Sequence, residues 1–187
     1  FYTALYAKGR IRENALLSLL ESSERNSNNA IVVGSTVDSI SHTQLTYGGR
    51  LSNGKIPLCN GKDVEIDHFN GNIVLIPQSV YKVLGNLDYF FTHSKGDFDY
   101  GLRAKKVGIK MIQCGTILGE CDTHPTIDTW CDPRLPLKTR FNCLYRPNGM
   151  PPKESFHLNK RHYGIVSAIK VYMTIYLRCL YPQLWIR

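Results

Sequence analysis

Apolar and polar positions along the chain follow two periods. From Ile11 to Glu21 the apolar residues recur three and four apart, which places Ala15, Leu16, Leu19 and Leu20 on one face and predicts a helix. The polar run from Ser22 to Asn29 is expected to end it. Ala30-Ile31-Val32-Val33-Gly34 is a short apolar run flanked by turn residues and predicts a buried strand. A helix followed by an apolar strand is the alternation of a layered α/β sheet domain. Leu45-Thr46-Tyr47, with Gly48-Gly49 and Asn53-Gly54 close behind, reads as irregular loops or a small hairpin. Val64 to Phe69 alternates like a strand, and Asn70-Gly71-Asn72 is a turn signal. Ile73-Val74-Leu75-Ile76 is the most apolar run of this half, expected as a central strand stopped by Pro77.

Ser79 to Leu84 predicts a short helix with Gly85 as its stop, and Asn86 to Phe91 a loop packed by aromatics. A further helix opens at Gly96-Asp97, runs through Phe98, Leu102 and Val107, and ends at Gly108; Asp97 suits its N-cap or first turn. Ile109 to Cys114 returns as a strand. Beyond Pro125 the pattern changes to a proline-punctuated, loop-rich stretch, followed by helices at Ser155–His162 and Gly164–Leu180. The last helix is apolar and aromatic but carries Lys170 and Arg178. A cation near the centre of a span costs roughly 2.5–3.5 kcal/mol, so the helix is not expected to cross a membrane. It fits either an interfacial helix or a helix packed over the sheet edge.

Charge sharpens this division. Residues 1–132 hold 13 Lys/Arg against 14 Asp/Glu, whereas residues 133–187 hold 10 Lys/Arg against Glu154 alone. The whole excess of +8 therefore sits in the tail, which suggests an anionic partner or a solvated basic face. With 43% hydrophobic and 20% charged residues, the composition is that of a globular domain and excludes a disordered or low-complexity chain. Six cysteines without a C-x-x-C pair suggest free thiols in a cytosolic setting. Cys121, His124, Cys131 and Cys143 have the right chemistry for zinc but match no standard finger spacing. The chain opens on Phe1 with no signal-peptide pattern, and a start partway through a larger protein is expected.

The sharpest chemical feature is Gly96-Asp97-Phe98-Asp99-Tyr100-Gly101-Leu102-Arg103. Asp99 and Arg103 stand four apart and can pair along the helix. Asp97 lies outside that pair, at a helix N-terminus that favours its charged form. A fixed carboxylate of this kind can take a proton from an incoming hydroxyl; it is equally the usual residue of a plain N-cap.

Three segments in order, Asn70-Gly71-Asn72-Ile73-Val74-Leu75-Ile76-Pro77, then Gly85-Asn86-Leu87-Asp88 with Phe90-Phe91, then Gly96 through Gly108, resemble family 2 glycosyltransferases. Pro151-Pro152-Lys153-Glu154 and Arg161-His162-Tyr163-Gly164 resemble the basic tail of that family. The likeness covers most of residues 30–180, is strongest at 70–108, and is to the bacterial, polysaccharide-building members. It implies an α/β fold, a partial GT-A-like, Rossmann-related mixed sheet flanked by helices, with a basic C-terminal helical tail. It further implies an inverting transfer of sugar from a nucleotide-sugar donor to a glycan or lipid-linked acceptor.

In that family the acidic motif reads E-D-x-D or a near variant. Its first Asp falls on Asp97, which takes the general-base role, while Gly96 stands where the Glu often is. The resemblance puts Asn70, Gly71, Asn72 and Gly96 beside the sugars, and Asp99 and Arg103 in support of the helix. A divalent metal, Mg or Mn, is expected in the full-length enzyme, with His124 as the one candidate helper in this chain. The donor-binding half and its D-x-D metal motif are not visible. Residues 1–132 are therefore expected to be the acceptor-side part of the domain, and residues 133–187 its basic loop and helical tail. The implied location is the cytoplasm, at the inner face of the cell membrane, with peripheral membrane contact through the tail and no nucleic acid partner. The competing reading is a non-catalytic basic module that binds a membrane or nucleic acid.

Overall fold

The computed structural model describes residues 2–7, 9–93, 95–123 and 128–185. They form two compact units, one within residues 1–87 and 97–123, the other within 88–96 and 124–187.

The first unit is a mixed, open α/β sheet flanked by helices. Its strands are β1 (Tyr2–Ala7), β2 (Arg10–Ile11), β3 (Ala30–Val37), β4 (Leu45–Tyr47), β5 (Gly49–Arg50), β6 (Val64–Glu65), β7 (His68–Phe69), β8 (Ile73–Pro77) and β9 (Lys110–Glu120). Its helices are α1 (Ala15–Arg25), α2 (Gln78–Leu84) and α3 (Gly96–Lys106). The main sheet runs β1-β8-β3-β9-β2, with β4 added to β3 and β6 to β9, while β5 and β7 form a separate ladder. β3 and β9 are parallel, and the other pairs are antiparallel.

Every residue of β3 is buried because both faces of the sheet are covered. Ile31, Val33, Val74 and Met111 share one cluster with Val80 of α2 and with Tyr100 and Ala104 of α3. Val32, Ile73, Leu75 and Leu118 share the other with Ala15 and Leu19 of α1. The side-chain period of two thus splits one apolar run between two cores.

Several boundaries move from the sequence expectation, each for a tertiary reason. Helix α1 starts at Ala15 because Arg10–Ile11 pairs with Gly119–Glu120 of β9. Leu16 faces out. The helix continues through buried Ser22 and Ser23, whose hydroxyls bond Asp63 and Asn28. β3 runs on through buried Ser35 and Thr36 to Val37, with Thr36 Oγ1 bonded to Thr46 Oγ1 at 2.8 Å. β9 continues to Glu120 along the same partner. The 64–69 segment is two strands, β6 on β9 and β7 on β5, and the loops near residue 47 are β4 and β5. β8 lies between β1 and β3, and the central strand is β3. Helix α3 ends where Gly108 turns to φ 76°.

Asp63 ties the end of α1 to β9. It accepts from Ser22 Oγ (2.9 Å), Arg25 Nε (3.1 Å), Arg25 Nη2 (3.0 Å) and the Gly115 N–H (3.1 Å). Burial pushes its carboxyl up, but these donors outweigh it and hold the carboxyl below the ordinary range. A depressed carboxyl contributes stability that is complete above the unfolded value near ~3.9 and is lost as pH falls through the folded one. Asp63→Asn is therefore expected to cost about 1–2 kcal/mol at pH 7 and to lessen the loss of stability in acid. Urea unfolding of both proteins at neutral and acidic pH checks this, and parallel pH profiles would count against it.

The second unit contains α4 (Leu137–Leu144), α5 (Pro152–Tyr163) and α6 (Ile165–Leu180), with single 3-10 turns at Thr129–Cys131 and Pro182–Leu184. Its core is Trp130, Cys131, Cys143, Leu144, Ile175 and Cys179. Helix α4 lies in the stretch expected to be loop; Pro136 sits at its N-cap, where a missing N–H costs nothing, and Cys143 and Leu144 bury its inner side. Gly164, at φ 88°, separates α5 from α6. Among the described residues no helix is long and apolar enough to cross a membrane.

Candidate active site

The parallel strands β3 and β9 end together at Val37 and Glu120. β8 runs antiparallel to β3, so the turn that precedes it, Asn70 to Asn72, arrives at that same end. The carboxyl end of parallel strands is where open α/β sheets usually bind ligands. The first turn of α3 meets the turn there. The Gly71 N–H donates to Asp97 Oδ2 at 2.9 Å, and the Phe98 N–H donates to Asp97 Oδ1 at 2.8 Å. Two backbone donors thus orient a half-buried carboxylate at a helix N-terminus.

Glycine at 71 leaves room for this approach. A Cβ at residue 71 would lie 3.3 Å from Asp97 Cβ and 3.5 Å from its Oδ2. Gly71→Val is expected to push the carboxylate off its position and to lower any turnover that depends on it by about 10–100-fold, since small misplacements carry costs of that size. Comparing turnover and thermal midpoint with the parent tests this; equal turnover would show that the close approach carries no function.

The two asparagines are held from inside. Asn70 Oδ1 accepts from Arg50 Nε at 3.2 Å, and the Asn70 N–H donates to the Gly48 carbonyl at 3.1 Å. Asn72 Nδ2 donates to Cys121 Sγ at 3.5 Å. Arg50 and Cys121 thus border the site; Arg50 stands in no motif, and Cys121 drew notice in the sequence only for its metal-binding chemistry. His68 stacks on Phe98 with ring centroids 5.8 Å apart; burial, with Arg50 nearby, pushes its imidazole below the ordinary value. Gly96 is the buried first residue of α3.

Asp99 faces inward and is fully buried. Arg103 Nε donates to Asp99 Oδ2 at 2.9 Å, while its other nitrogens donate to the carbonyls of Leu84 (2.6 Å) and Asn86 (2.9 Å). The Tyr100 hydroxyl donates to the Gly85 carbonyl at 3.1 Å, and Arg103 lies 4.9 Å from the centre of the Tyr100 ring. One turn of α3 therefore fastens the loop that leaves α2, and Asp99 is a positioning residue for the helix that carries Asp97.

Other acids gather at the carboxyl end of β3 and β9. Asp122 accepts from the Ser39 N–H and hydroxyl, which hold its carboxyl below the ordinary range. The Ser41 hydroxyl and N–H bring Asp38 down to about 2. Glu120 Oε1 lies 3.0 Å from His42 Nδ1. Glu120 closes β9, and Cys121 and Asp122 follow it along this rim. Asp38 is engaged within its own loop, while Asp122 and Glu120 are engaged by Ser39 and His42 of the loop that follows β3. No group of three or more His, Cys, Asp or Glu among the described residues is placed to hold a metal ion. His124 lies outside the described residues. Cys131 and Cys143 sit in the apolar core of the second unit, where burial pushes the Cys131 thiol up.

No protein-family model matches the chain, and no curated protein matches it.

Proposed function

We propose that this chain is the acceptor-side part of an inverting glycosyltransferase of the GT-A type, with Asp97 as general base. The observation that carries the reading is the contact between Gly71 and Asp97, which joins the two most specific segments of the family resemblance at the carboxyl end of the parallel strands. In the proposed reaction Asp97 takes the proton of an acceptor hydroxyl while that oxygen bonds to the anomeric carbon of the donor. The bond from that carbon to the diphosphate breaks on the opposite face, and the electron pair leaves with the nucleoside diphosphate. Asn70 and Asn72 border the sugars, Gly71 admits the carboxylate, and Asp99 with Arg103 keeps the helix in place. Any divalent cation would draw its main ligands from outside the described residues, and no step here runs through one.

The acceptor is a glycan or a lipid-linked glycan. The test is release of nucleoside diphosphate from sugar nucleotides by the full-length protein, with and without acceptor glycans, beside its Asp97→Asn variant. Acceptor-dependent release that the variant loses supports the reading. Release of the same size in the variant removes Asp97 from the chemistry and leaves it as a helix cap.

A further inference from the structure

Helix α6 is apolar on two sides, and among the described residues only one of them is covered. Ala168, Ile175 and Cys179 face the core of the second unit. Val166, Ile169, Met173, Leu177 and Leu180 form a second row at helical spacing on the outside, with Val166 79% and Met173 55% exposed. A helix that is hydrophobic all round is normally buried, and a continuous exposed apolar row marks an interaction surface. Tyr163 at its start, and Tyr181 and Trp185 just beyond its end, are exposed as well.

Cations border this row on both sides. Lys170 lies about 40° around the helix from Val166. On the other side, Tyr172 helps to line a groove of about 400 Å³ with Phe90, Phe156, His157, Lys153 and Lys160. Lys153, His157 and Lys160 are four and three apart on α5, so they share a face, with the lysines roughly 10 Å apart along the axis. No ion pair among the described residues involves Lys153, Lys160 or Lys170. The neighbouring acid Glu154 is buried and accepts from Thr92, and Asp88 is paired with Arg161.

From these two observations we infer that α6 lies in the surface of an anionic lipid bilayer. The outer row enters the acyl boundary, and Lys153, Lys160 and Lys170 meet the lipid phosphates. At 16 residues the helix is about 24 Å long, short of the roughly 30 Å hydrocarbon core, so it rests in the plane instead of crossing. Interfacial aromatics at both ends suit that position. The same uncompensated cations would face one another across a contact between two copies of the chain, which disfavours a self-interface. The inference is independent of the transferase reading, and its test involves no sugar transfer.

The full chain is sedimented with vesicles of phosphatidylcholine alone and of phosphatidylcholine containing phosphatidylglycerol. Binding to the anionic vesicles only is expected, and it should weaken as salt is raised, because surface attraction is screened. Lys153→Gln and Lys160→Gln should each weaken binding about fivefold. Val166→Ser with Met173→Ser should weaken it at least about tenfold, with a thermal midpoint that falls only slightly because both side chains are more than half exposed. Equal binding to neutral vesicles, or none to anionic ones, overturns the inference. So does binding that depends on the lysines but ignores the two serine substitutions. A stable dimer that those serine substitutions convert to monomer would assign the row to a second copy instead.

Discussion

Asp97→Asn in the full-length protein is expected to lower kcat for sugar transfer by about 10²–10⁴-fold, the usual worth of a positioned general base. The substitution is nearly isosteric. An amide oxygen can still accept the Gly71 N–H that reaches Asp97 Oδ2 at 2.9 Å, while the Phe98 N–H at Oδ1 loses its acceptor, so the turn stays tied to the helix start at a small cost in stability. The amide has no useful basicity, so the acceptor hydroxyl keeps its proton while its oxygen attacks. KM for the sugar nucleotide should change little, since the loss belongs to the transition state. Turnover within a few-fold of the parent, together with a lower thermal midpoint, would identify Asp97 as a cap and nothing more. A cap is worth about 1 kcal/mol, so the two roles separate cleanly when rate and stability are measured on the same preparation.

Asp99→Ala should have the largest effect on stability, about 3 kcal/mol, at the low end for loss of one partner of a buried ion pair. Asp99 is fully buried, and the side chain of Arg103 is 23% exposed. Without the carboxylate, Arg103 keeps two carbonyl acceptors, at Leu84 and Asn86, and loses the one that balances its charge. Its partial exposure lets water relieve some of the cost. For a chain of this size the thermal midpoint should fall by about 6–12 °C. Arg103→Lys should recover little in the opposite experiment, because an ammonium cannot reach three acceptors as a planar fork. A fall in midpoint below that expected for about 1 kcal/mol would show that the pair behaves as a surface ion pair.

Much of this arrangement was legible along the chain. The helices around residues 79–84, 97–107 and 165–180 follow from periodicity and from glycine stops at Gly85 and Gly108, both at positive φ. The spacing of Asp99 and Arg103 indicated their pairing. The continuous apolar runs at Ile31 and Ile73 indicated buried strands. What the chain could not show was how polar residues would be satisfied. Ser22, Ser23 and Thr36 look like breaks in an apolar pattern, yet all three are buried. The bonds of Ser22 to Asp63 and of Thr36 to Thr46 cross 41 and 10 residues. The 137–144 helix was hidden for a related reason, since its burial depends on partners at Trp130 and Ile175.

The sequence by itself determined the local alternation, because helix and strand periods, turn glycines and i,i+4 charges act between near neighbours. It also determined the uneven charge, with Asp97 at a helix start and the cations in the tail. Tertiary structure alone decided which strands are parallel, how far β3 and β9 extend together, and that Gly71 meets Asp97 across 26 residues. It likewise decided which side of α6 is covered: a helix with two apolar sides carries no mark of its inner one until Trp130, Leu144 and Cys143 close over it. Contacts between distant segments depend on how whole faces pack, and residue order does not encode that locally.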